Sequence, residues 1–106
     1  MLSKRKHKQL FEACRTGNVE KVIELLDLGV SPRIRNNSGA TPLHFASANG
    51  NAEIVLMLIK KDADVNDQGA FPGPRSEFFL PVTPLMEAEQ FKQKVVAKIL
   101  RANGAH

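Results

Sequence analysis

The sequence predicts an all-α chain built as a solenoid of stacked helix-turn-helix units, and three observations predict it. Shifted by 33 residues, the chain matches itself. A third copy of the same pattern follows, displaced by 41 to 42 residues. Within each copy the apolar residues recur at helical rather than strand spacing.

The 33-residue shift places Leu10 on Leu43, Ala13 on Ala46, Gly17 on Gly50, Asn18 on Asn51, Glu20 on Glu53, Val22 on Val55 and Leu25 on Leu58, with Leu26 on Ile59 as a conservative match. Hydrophobic phase and turn residues are preserved together. In the middle copy, Thr41 suits a helix N-cap, and Pro42 suits the first turn, where its missing amide hydrogen costs nothing. This helix should stop at Asn49-Gly50. A second helix over AEIVLMLIKK carries Ile54, Val55, Leu58 and Ile59 as one stripe. Lys60 and Lys61 close it, where the helix dipole favours positive charge. Neither helix buries its stripe alone, so stacking copies side by side is the physical solution.

In the third copy, Thr41-Pro42-Leu43 recurs as Thr83-Pro84-Leu85, 42 residues on. Ile54, Val55, Leu58 and Ile59 align with Val95, Val96, Ile99 and Leu100, 41 residues on. This reading requires an insertion of about nine residues before the third copy and the loss of one residue inside it. The insertion falls in Gly69 to Glu77, where glycines and prolines exclude a regular helix or a central strand, so a loop is expected.

The middle copy, SGATPLHFASANGNAEIVLMLIKKDADVN, resembles the ankyrin repeat through Gly39, Thr41-Pro42-Leu43-His44, Ala46, Gly50, Ile54-Val55, Leu58-Ile59 and Ala63-Asp64-Val65-Asn66. Asp62 stands where that family usually has glycine. The first copy lacks TPLH and resembles an amino-terminal capping repeat, with Lys8, Gln9, Glu12, Arg15, Lys21 and Glu24 available for a polar outer face. The third is degenerate, with Met86 in place of the histidine and Lys92 or Gln93 where glycine should separate the helices. The resemblance implies an ankyrin-repeat solenoid with short hairpin loops. Its expected layout is a basic arm at 1–7, repeats at about 8–35, 36–68 and 78–106, and a loop insertion at 69–77.

The resemblance also implies a protein-protein interaction module that binds through hairpin tips and the concave inner-helix surface. An alternative is that the chain caps a longer ankyrin array in a multidomain scaffold or regulatory protein. The positions it assigns to partner contact are Asn37, Ser38, Ala40, Ala48 and Asn49 in the middle copy, Arg15 in the first, and Arg33 and Arg35 on the connecting hairpin. Together these read as a strip of basic and amide groups suited to an acidic or carbonyl-rich partner surface. In the insertion, Phe71 and Arg75 are expected to bind, whereas Phe79 and Leu80 are expected to pack. Asn66 lies in a pattern similar to that of hydroxylated ankyrin asparagines, although a purely structural role in its hairpin is the stronger expectation.

Catalysis is not expected. His44 has no serine, cysteine or acid at a recognisable offset, and the resemblance gives it hydrogen bonds that tie neighbouring hairpins together. Cys14 occupies a small-residue position equivalent to Ser47 and should be packed and unreactive. Glu87 and Glu89, two apart, point to different faces of a helix. One cysteine and three scattered histidines offer no metal-ligand spacing, and no cofactor is expected. Four of the 15 basic residues, Lys4, Arg5, Lys6 and Lys8, lie near the start; the remaining 11 are matched by 11 acidic groups, so the net charge of +4 belongs to the arm. The body of the domain is therefore not expected to bind nucleic acid. No run of apolar residues is long enough to span a membrane. A monomer in the cytoplasm or nucleus is expected, and its partner is another protein that the sequence does not name.

Overall fold

The computed structural model describes residues 4–72 and 79–106, with the backbone alone described for 70–72, 79 and 80. Six helices form three consecutive pairs: α1 (Lys4–Thr16) with α2 (Val19–Asp27), α3 (Pro42–Asn49) with α4 (Ala52–Lys60), and α5 (Pro84–Gln90) with α6 (Lys94–Ala102). α3 packs between α1 and α5 to make an inner row. α2, α4 and α6 make an outer row.

The helix ends follow local chemistry. Asn18 and Asn51 cap α2 and α4 by accepting from the amides of Lys21 and Ile54 at 3.2 and 3.1 Å. Thr41 and Thr83 cap α3 and α5, each followed by a proline in the first turn. The expected break at Asn49-Gly50 is present, with Gly50 left-handed at φ 77°. Lys92 does the same work at φ 57°, and Asp62 ends α4 at φ 74°. Both are non-glycine residues in a region that L side chains rarely adopt.

The core is written in columns. Leu10, Leu43 and Leu85 are buried at equivalent places on the inner helices, as are Ala13, Ala46 and Ala88. Leu25, Leu58 and Leu100 are their counterparts on the outer helices. Each fully buried leucine contributes about 1.5–3 kcal/mol of hydrophobic transfer free energy.

These columns correct the alignment of the third copy. The buried residues of α4 are Ile54, Val55 and Leu58, and those of α6 are Val96, Ala97 and Leu100, all 42 residues on. Val95, expected to match Ile54, is 65% exposed. The backbone agrees: Asn51 N–H to Ala46 O is repeated as Gln93 N–H to Ala88 O, and Ala63 N–H to Leu58 O as Ala105 N–H to Leu100 O. No residue has been lost inside the third copy.

Two further expectations change. α1 starts at Lys4, so Lys4 to His7, read as part of an arm, are helical. The insertion is not wholly loop: β1 (Gly69–Pro72) pairs antiparallel with β2 (Phe79–Val82), with Gly69 opposite Val82 and Pro72 opposite Phe79. A two-stranded ribbon consists of edges only, so its prolines are tolerated where a central strand would reject them.

Candidate functional site

The hairpin connections are locked to one another through His44. Its Nδ1 accepts from the Thr41 amide at 3.1 Å and lies 2.8 Å from the Thr41 hydroxyl. The Nε2–H therefore donates to Val82 O at 2.6 Å, joining α3 to β2. The ring is buried, and burial pushes its pKa below the ordinary histidine value despite the carbonyl that it faces. A neutral imidazole used in this way is a strut. Gly69 fits beneath it: a Cβ there would lie 2.6 Å from Gly39 O and 3.0 Å from His44 Cε1.

The expected contact positions divide by environment. Arg15, Asn37 and Asn49 are exposed, and Ser38 and Ala48 are partly so. Ala40 is fully buried; a methyl group sealed beneath the hairpin presents no surface, and this corrects its assignment. Phe71 lies in β1 with its side chain outside the description, and Arg75 lies outside the described residues.

The arginines are already engaged. Arg15 pairs with Glu12. Arg33 reaches across to the next hairpin, donating to Asp62 O at 2.8 Å and pairing with the Asp62 carboxylate at 3.5 Å. Arg35 meets Asp67 Oδ2 at 2.8 Å, and the Asp67 side chain is almost wholly buried. The strip is therefore neutralised by the chain's own carboxylates rather than basic. Asn66 is held at both ends of its amide: Nδ2 donates to Gly104 O, and Oδ1 accepts from His106 N–H, each at 3.1 Å.

Sequence reasoning missed two exposed side chains and one partly buried one. Met86 on α5 and Phe91 at its C-cap are about half exposed. Phe45 on α3 is partly buried, edge-to-face with Phe11 at 5.7 Å. The signal was available: 42 residues separate Asn49 from Phe91, so the two positions are equivalent. Burial pushes the Cys14 thiol up to about 12, which removes it from thiolate chemistry at neutral pH. The Glu87 carboxyl is also raised, by partial burial.

A family profile described as "Ankyrin repeats (3 copies)" matches residues 2–69. The chain belongs to the ankyrin repeat family. It is 33% identical over 97 residues to the rat (Rattus norvegicus) "Ankyrin repeat and SAM domain-containing protein 6", covering 91% of this chain and 10% of that protein. It is 31% identical over 91 residues to "Potassium channel KOR2" of Oryza sativa subsp. japonica, covering 86% of this chain and 11% of that protein. It is 28% identical over 97 residues to "Serine/threonine-protein kinase 12" of Arabidopsis thaliana, covering 92% and 19%. The chain thus spans about a tenth to a fifth of the length of these relatives. The ankyrin repeat is in general a non-catalytic protein-protein interaction module. No helix among the described residues is long and apolar enough to cross a membrane.

Proposed function

We propose that this ankyrin domain binds a partner protein across its inner-helix row and hairpin tips as a rigid, largely pre-formed surface. One observation carries the reading. α1, α3 and α5 lie side by side in register, so Arg15 and Thr16, Ala48 and Asn49, and Gln90 and Phe91 repeat at equivalent exposed or half-exposed places. A surface held this way loses little conformational entropy on binding. Because Arg15, Arg33 and Arg35 are internally paired, the partner that fits is not simply acidic. It offers polar groups to Asn37, Ser38 and Asn49 and an apolar contact to Phe91, an anchor of the kind that dominates interfaces. Phe71 and Arg75 of the insertion belong to the proposed surface on the grounds of their residue types alone.

The test is affinity capture with quantitative mass spectrometry. The intact chain is compared with Asn49→Arg, Phe91→Arg and the Phe71→Ala/Arg75→Ala pair, with Lys60→Glu on the outer row as control. Partners recovered by the intact chain and the control should be lost with Asn49→Arg and Phe91→Arg. Recovery unchanged by both would remove the inner row from the binding surface. Recovery unchanged by the double substitution would remove the insertion.

A further inference from the structure

Each repeat turns one face towards the next, and the equivalences show what that face is made of. Cys14 and Ser47 are fully buried there, and their third-copy counterpart is Glu89, half exposed. Gly17 and Gly50 lie against the following repeat, where a Cβ on Gly50 would meet Gln93 Oε1 at 2.2 Å; their counterpart is Lys92. Ile23 and Leu56, which stay about half exposed in the stack, become Lys98, and Leu26 and Ile59 become Arg101. Small or apolar residues recur at all four places in the first two repeats, and charged residues occupy all four in the third. Lys94 adds a further exposed cation where the middle repeat has Ala52.

These side chains rim an open groove of about 550 Å³ between α5 and α6, whose exposed apolar lining residue is Val95. Glu89 is satisfied by Arg101 at 2.9 Å, which leaves Lys92, Lys94 and Lys98 as a net positive rim. Stacking another repeat of the same kind here would bring Lys92 and Arg101 into places that small or apolar residues occupy in the first two repeats, a cost in desolvation. An occupant that brings carboxylates to the rim and one or two apolar side chains to Val95 meets no such cost.

We infer that the α5–α6 end face is a second docking surface, and that it takes an acidic, amphipathic protein segment. It uses no residue of the inner-row contact set, so the two surfaces stand or fall separately.

Fluorescence anisotropy of the intact chain tests this inference. The probe is a fluorescein-labelled amphipathic peptide with glutamates on one helical face and leucines on the other. Lys94→Glu/Lys98→Glu is compared with Lys60→Glu/Lys61→Glu, which makes the same charge change at the C-terminal end of α4; a melting curve for each confirms folding. The inference expects saturable binding, weakened at least about tenfold by the α6 reversal and little by the α4 reversal, and weaker at high salt. Absent binding, or equal loss in both variants, overturns it. Tighter binding of a (dT)15 oligonucleotide or of phosphatidylserine vesicles, abolished by the same α6 reversal, would also overturn it by assigning the face to those ligands. So would concentration-dependent dimerisation abolished by that reversal. Asn49→Arg should leave peptide binding unchanged whatever it does to partner capture.

Discussion

At the scale of single residues, two left-handed positions show where this chain departs from its own repeat. Gly50 adopts φ 77° without cost, and its missing side chain leaves room for Gln93, whose Nε2 donates to Ala48 O at 3.0 Å. Gln93 thus joins two repeats and makes no side-chain cap on its own helix. Lys92 adopts the same conformation as Gly50 with a Cβ to accommodate. Lys92→Gly should raise stability by about 1 kcal/mol, since the relieved strain exceeds the extra flexibility of glycine when unfolded. For a domain of this size that is a rise in Tm of about 4–8 °C, and a melting curve of the variant beside the parent checks it. A fall in Tm would mean that the Lys92 side chain makes contacts worth more than the strain. Asp62, also left-handed, is a poorer site for the same change, because its carboxylate holds Arg33.

At the scale of elements, the connection from α3 to the ribbon depends on one protonation state. Adding a proton to His44 would place an N–H on Nδ1 opposite the Thr41 amide, two donors facing each other, in a site that burial already makes hostile to charge. The folded pKa lies below the unfolded value near 6.5, so the unfolded chain takes up the proton first as pH falls. The contribution of His44 is therefore fully present above about pH 6.5 and is lost as pH drops through that value towards the folded pKa, by at most about 1.4 kcal/mol per unit. Urea unfolding at pH 7.5 and 5.5 should show this loss in the parent and not in His44→Asn, which is less stable at both; equal losses in the two proteins would contradict the assignment. The Thr-Pro cap and the histidine at this junction were legible because their chemistry is local. The phase of α6 was not. Val95 and Val96 are adjacent and equally apolar, so periodicity alone allows either to face inward. Small Ala97 gives little signal, and only the packed columns decide. The ribbon was hidden for a related reason, since prolines that exclude a central strand say nothing against a two-stranded edge. The neutralised strip was also invisible, because Arg35 and Asp67 are 32 residues apart and meet only when hairpins stack.

At the scale of the whole molecule, the chain is a one-dimensional object folded into 35 × 30 × 21 Å. The substantial packings join neighbouring pairs: α1 and α2 against α3 and α4, and these against α5 and α6. Stability is then approximately a sum of repeat terms and two interfaces, and the middle repeat belongs to both interfaces. Leu58 and Leu100 are fully buried at equivalent places on α4 and α6, so substituting each by alanine removes the same atoms, at about 2–5 kcal/mol. The two changes should nevertheless differ in reach. Leu58→Ala weakens the repeat on which both others lean, and amide exchange should quicken through all six helices together. Leu100→Ala weakens a repeat with one neighbour, and exchange should quicken in α5 and α6 while α1 and α2 keep the parent's protection. Hydrogen exchange read by mass spectrometry, with both variants under conditions where the parent is folded, resolves the two patterns. Uniform acceleration in the Leu100→Ala variant would mean that the three pairs unfold as one cooperative block. In that case the end face could not yield without disturbing the inner row, and the two surfaces would be thermodynamically coupled rather than separate.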